Sequence, residues 1–74
     1  MNTASPHNRF LAGRLDALGL SEDPRHVEAW VRVAHPTLDA LSAEELDEEI
    51  LIAAATLREA GPDMNERLAD SFGL

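Results

Sequence analysis

His7, His26 and His35 are the side chains best suited to hold a metal or move a proton near neutral pH. They fall in three different segments, and no H-x-x-x-H pair brings two of them onto one helix face. Nor is there a Glu-x-x-His motif of the kind that builds carboxylate-bridged iron sites inside helical bundles. The acidic run Glu44-Glu45-Leu46-Asp47-Glu48-Glu49 lacks the alternating oxygen ligands and central glycine of a calcium loop. Cysteine is absent, which removes disulfides, thiolate–zinc sites and thiol catalysis together. There is no G-x-S-x-G, and Ser5, Ser21 and Ser42 stand where helix caps or turns need them. Glu44/Glu48 and Glu45/Glu49 each share a helix face, but acid–base catalysis needs a cleft that shifts their pKa values. A bundle of this size rarely has room for one. The expectation is a non-enzymatic chain with no catalytic residue, no cofactor and no metal.

What remains is charge. Fourteen acidic residues face six basic ones, all of them arginine, for a formal net charge of -8. Through His35, Arg9, Arg14, Arg25 and Arg32 balance Asp16, Glu22, Asp23 and Glu28; beyond Pro36 only Arg58 and Arg67 oppose the remaining acids. Such a balance repels phosphate backbones and anionic lipid and favours basic partners. A helix-turn-helix reader needs a basic helix for the groove, and the arginines of the first two helices would sit beside a strongly acidic third. Neither nucleic acid nor a membrane is therefore an expected partner. The longest apolar run, Ile50 to Ala55, is far short of a membrane span. Met1 to Pro6 shows no basic start followed by an apolar stretch, so no signal peptide is expected and the cytoplasm is the default location.

The elements that position these groups are helical throughout. Ser5-Pro6 can cap and start a first helix, Pro6 to Leu18, with Phe10, Leu11, Leu15 and Leu18 as its apolar stripe. Gly19 fits the left-handed position that ends it, and Leu20 can fold back on the last turn. Asp23-Pro24 opens a second helix running to Ala34, with Val27, Trp30, Val31 and Ala34 on one face. His35 precedes Pro36, which disfavours helical backbone at that residue and stops it. Thr37 to Leu41 reads as a tight turn or one helical turn that sends Leu38 and Leu41 into the core. Ser42-Ala43-Glu44-Glu45 is a capping box for a third helix, Ala43 to Ala60, which Gly61-Pro62 ends. Asp63-Met64-Asn65-Glu66 repeats the cap logic for a short last helix with Met64, Leu68 and Phe72 inward. The predicted fold is all-α: a small single-domain bundle of three to four short helices, with residues 1–5 a flexible N-terminus.

The third helix should be central. Leu46, Ile50, Ala53 and Leu57 form one stripe, and Leu51, Ala54 and Ala55 widen it enough to touch two neighbours. Ile52 alone does not fit, because it lies among Glu45, Glu48, Glu49 and Glu59 on the face that ought to meet water. An apolar anchor within a charged rim is how many interfaces are built. Glu45, Glu48, Glu49, Ile52 and Glu59 are therefore the candidate partner-binding residues. First among the functions that fit is a protein–protein interaction module docking this acidic face on a basic partner surface. A self-associating structural or virion-type component is the alternative, and a small DNA-binding regulator using the arginines is the second.

The stretch Val27-Glu28-Ala29-Trp30-Val31-Arg32 through His35-Pro36-Thr37-Leu38-Asp39-Ala40-Leu41-Ser42 carries a resemblance, together with the ending Leu68-Ala69-Asp70-Ser71-Phe72-Gly73-Leu74. These segments resemble a group of short uncharacterised all-helical proteins of actinobacteria and their phages. The resemblance covers most of the chain and implies no activity and no site. It does imply an accessory protein of a phage or mobile element, for which a host nucleic-acid enzyme with a basic groove is one such partner.

Overall fold

Proline, glycine and small polar residues set the helix ends in this chain. The computed structural model describes residues 6–74, with side chains from residue 9 onward. Four helices, α1 (Pro6–Ala17), α2 (Pro24–Ala34), α3 (Ala43–Ala60) and α4 (Pro62–Ser71), form an all-α bundle, with one 3₁₀ turn (Leu38–Ala40) before α3. No strand occurs among the described residues, and no helix there is long and apolar enough to cross a membrane.

Most of the end signals act as their chemistry requires. Gly19 takes φ +73°, and the Leu20 N–H donates to Leu15 O at 2.8 Å, folding the chain back over the end of α1. The Asp23 side chain accepts the Arg25 N–H at 2.9 Å and caps α2. Both halves of the Ser42 capping box close: Ser42 Oγ accepts the Glu45 N–H at 3.2 Å, and Glu45 Oε1 accepts the Ser42 N–H at 3.0 Å. Asp63 does not cap α4. That helix starts at Pro62, two residues before a cap at Asp63 would start it, directly after Gly61 at φ +90°, and has no side-chain cap. The Ser5 cap lies outside the described residues.

The core joins Leu11 and Leu15 of α1, Val27 and Val31 of α2, Leu38, and Leu46, Ile50, Ala53 and Leu57 of α3. Leu18, Leu20, Trp30 and Leu41 pack against its edge. Central position belongs to α2 rather than α3. It packs against each of the other helices, whereas α3 packs chiefly on α2 and α4. Burial on so many sides draws even a charged residue inside: Glu28 is fully buried, with Arg32 Nε donating to its Oε2 at 2.9 Å.

The link that sets α4 is polar. Asn65 is buried, accepts the Trp30 indole N–H on Oδ1 at 2.8 Å, and donates through Nδ2 to Leu57 O at 2.8 Å. One amide thus ties α2, α3 and α4. It also rotates α4 so that Asn65 and Ala69 face inward, and the small Ala69 lets the backbones approach. Met64 and Phe72, expected inside, are swung to the flank and lie half exposed.

The other expected core residues that prove exposed follow from helix geometry. Phe10 stands one residue, 100° of rotation, from Leu11 and remains half exposed. Ala34 emerges in the last turn of α2, and Leu51 and Ala55 lie on a side of α3 that is exposed among the described residues.

Replacing Asn65 with leucine should lower stability by about 1–3 kcal/mol, because it leaves the half-buried Trp30 N–H without its acceptor. Leu57 O keeps its bond from the Gly61 N–H. Adding Trp30→Phe should cost less than the sum of the two single changes. Urea unfolding of the two single variants and the double variant, followed by circular dichroism, checks the coupling; strict additivity would show that the amide bridge is energetically idle.

Candidate functional site

Four of the six arginines are committed to carboxylates of the same chain. Arg14 grips Asp47 with two bonds, Nε to Oδ1 at 2.9 Å and Nη2 to Oδ2 at 2.6 Å, tying α1 to α3. Arg25 forks onto both oxygens of Glu66 at 3.2 Å, and His26 Nε2 meets Glu66 Oε1 at 2.8 Å, tying α2 to α4. Arg32 holds Glu28 within α2. Arg58 reaches from α3 to Glu22 ahead of α2 at 2.7 Å.

These commitments decide which carboxylates are left over. Glu45 is spent on the capping box, where the hydrogen bond from the Ser42 backbone holds its carboxyl below the usual range. Glu49 is half buried and faces His35 Nε2 at 3.3 Å. Both belong to internal contacts as well as to the acidic helix. Glu48 and Glu59 are exposed, as is Glu44, which lies on the same face. Among the described residues none of these three meets a cation within ion-pair distance.

Ile52 stands where its sequence position implies, 58% exposed, and Leu51 beside it is 50% exposed. At 100° per residue, Glu44, Glu48, Leu51, Ile52, Ala55 and Glu59 share the side of α3 opposite the buried stripe of Leu46, Ile50, Ala53 and Leu57. The surface is an apolar patch one turn long, with a carboxylate beyond each end. The apolar period alone assigns Leu51 and Ala55 to the buried side, and the rim expected around Ile52 does not include Glu44. The signal that could have found them is the heptad-like spacing of Glu44, Glu48, Leu51 and Ala55.

No protein-family model, no curated protein and no solved structure matches the chain. The functional reading rests on the side chains themselves.

Two other features of the surface are candidates beside the α3 face. An opening of about 400 Å³ lies where the start of α3 meets α1 and the 3₁₀ turn, lined by Phe10, Leu11, Leu38, Leu41, Ala43, Leu46 and Asp39. Asp39 is the only titratable group in that lining, so it holds no acid–base pair. The second feature gathers Asp23, His26 and Glu66, whose ligand-type atoms lie within 4.8 Å of one another. Arg25 already occupies Glu66 with a guanidinium there, which opposes a second cation. The His7 side chain lies outside the described residues.

The ion pairs make stability sensitive to acid. The hydrogen bonds from Arg14 hold the Asp47 carboxyl below its ordinary 3.8, and those from Arg25, then His26, hold Glu66 below its ordinary 4.5. A carboxylate whose folded pKa is depressed contributes stability that is present above its unfolded pKa and lost as pH falls through the folded one. Urea midpoints should therefore fall as pH drops below about 4.5, and an Asp47→Asn, Glu66→Gln variant should fall less steeply. Parallel acid slopes for variant and wild type would show that these pairs do not differ between the folded and unfolded chain.

Proposed function

We propose that this chain is a non-enzymatic protein–protein interaction module that docks the outer face of α3 on a basic surface of another protein. The observation that carries the reading is the exposure of Leu51 and Ile52 inside a rim of Glu44, Glu48 and Glu59, none of which meets a cation within ion-pair distance among the described residues. Hydrophobic burial at the centre would supply affinity, and the rim would supply steering and partner choice. The setting proposed is the cytoplasm. The resemblance to short actinobacterial and phage proteins extends the proposal to an accessory role for a phage or mobile element. A host enzyme whose basic groove otherwise holds phosphate would then be a fitting partner.

Charge ranks the competing readings. A second copy seated face to face would set carboxylate against carboxylate across the seam, which opposes self-association. DNA binding would draw on arginines, and Arg14, Arg25, Arg32 and Arg58 are already paired. Releasing Arg14, Arg25 or Arg58 to meet phosphate would break ties between separate elements of the fold.

The test uses Glu48→Arg, Ile52→Arg and Glu59→Arg combined. Because all three side chains are exposed, each change should alter stability by no more than about 0.5 kcal/mol. Proteins captured from lysate by wild type should be lost with the variant, and binding should weaken by roughly tenfold or more between about 50 and 500 mM salt. A partner retained by the folded variant, or held without regard to salt, would rule this face out. Light scattering addresses the second copy: the expected species is a monomer at tens of micromolar, and a discrete dimer would favour self-association instead.

A further inference from the structure

We infer that the element received by the α3 face is a basic amphipathic helix, laid along α3 with one apolar side chain seated between Leu51 and Ile52. The inference rests on the docking role proposed above and specifies its partner. Glu48, Leu51, Ile52 and Ala55 stand at positions i, i+3, i+4 and i+7 of an unbroken 18-residue helix. That is the diamond of four side chains into which a facing helix inserts a knob. Here the two lateral corners are the larger apolar residues, both half exposed or more, and the far corner is a small alanine. The result is a shallow notch with apolar walls. A small residue at that corner lets a facing backbone approach to the 8–10 Å at which helices pack.

Charge then specifies what flanks the knob. Glu44 and Glu59 are exposed and lie on the same side as the notch, one toward each end of α3. At 1.5 Å per residue each is about 11 Å from the centre of the diamond, close to one heptad. A partner helix at the shallow crossing angle of this packing would place side chains seven residues before and after its knob opposite those two carboxylates. Arginine or lysine at both positions gives two ion pairs framing one apolar contact. An extended basic segment advances about 3.3 Å per residue with side chains alternating between faces, so two cations about six residues apart would match the carboxylates while the residue midway points away from the diamond. A second copy would present carboxylates to carboxylates. The helix is the occupant that satisfies both the notch and the rim.

The probe is a synthetic helix-forming peptide with a central leucine and arginines seven residues to either side, on an alanine–glutamine background. Two controls accompany it: the same peptide with proline replacing the residue beside the leucine, and the helical form with both arginines replaced by glutamine. Titration into the isotope-labelled full chain, followed by amide chemical shifts, reports affinity and location together. The expected result is perturbation centred on Glu48, Leu51, Ile52 and Ala55, with binding at least about tenfold weaker for each control. Ala55→Leu in the protein, which fills the notch on an exposed position, should weaken the helical peptide to a similar degree. Equal binding of the helical and proline peptides, with no effect of Ala55→Leu, would overturn the helix while leaving an acidic docking face. Failure of the arginine peptide to perturb α3, or equal binding of the glutamine form, would overturn the face itself.

Discussion

A chain with six cations and fourteen anions cannot neutralise itself, and where its few guanidinium groups go decides both the fold and the surface left over. Three of the six go to the joints. Arg14 fastens α1 to α3, Arg25 fastens α2 to α4, and Arg58 fastens α3 to the segment ahead of α2. Arginine suits this work because its planar fork meets a carboxylate with two bonds. With those pairs made, Glu44, Glu48 and Glu59 on the outside of α3 meet no cation within ion-pair distance among the described residues. The acidic face is thus the remainder of an internal pairing scheme, and its composition follows from which acids the arginines can reach.

Packing sets a second constraint. Sixty to eighty residues give little core, and this chain has no disulfide to supplement it. It surrounds one helix, α2, and closes the far side with a buried amide. Asn65 spends its carbonyl on Trp30 and its amino group on Leu57 O, so its burial leaves neither unpaired. The orientation of α4 follows from those two bonds more than from its apolar residues, which explains why Met64 and Phe72 remain outside.

How much of this could be read in advance depends on the range of the interaction. Local chemistry was legible: the Ser42–Glu45 box, Asp23-Pro24, Gly19 and Gly61 fix element order and place both ends of α3. The core stripe of α3 was legible as well, since Leu46, Ile50, Ala53 and Leu57 obey the helical period. Ile52 stood out by violating it. What could not be read was set by contacts across the sequence. Periodicity says that Leu51 lies near an apolar stripe but not that its side of α3 is exposed. It marks Met64, Leu68 and Phe72 as a stripe without showing that a buried Asn65 turns the helix away from it. Nothing local distinguishes Glu49, drawn toward His35, from Glu48, which faces water.

Solubility and helix stability account for part of the acidic face, and the part they leave is informative. Carboxylates in the first turn of α3, Glu44 and Glu45, interact favourably with the positive end of the helix dipole. Glu59 sits in the last turn, where the dipole favours cations, so helix stability argues against it. Solubility would be served by a charge at almost any exposed position. It would be served badly by Leu51 and Ile52, adjacent and open to water, on the same side as those acids. One placement runs against the dipole and the other against hydration, and both lie on one line of one helix. A surface that receives an apolar side chain between two positive charges requires both.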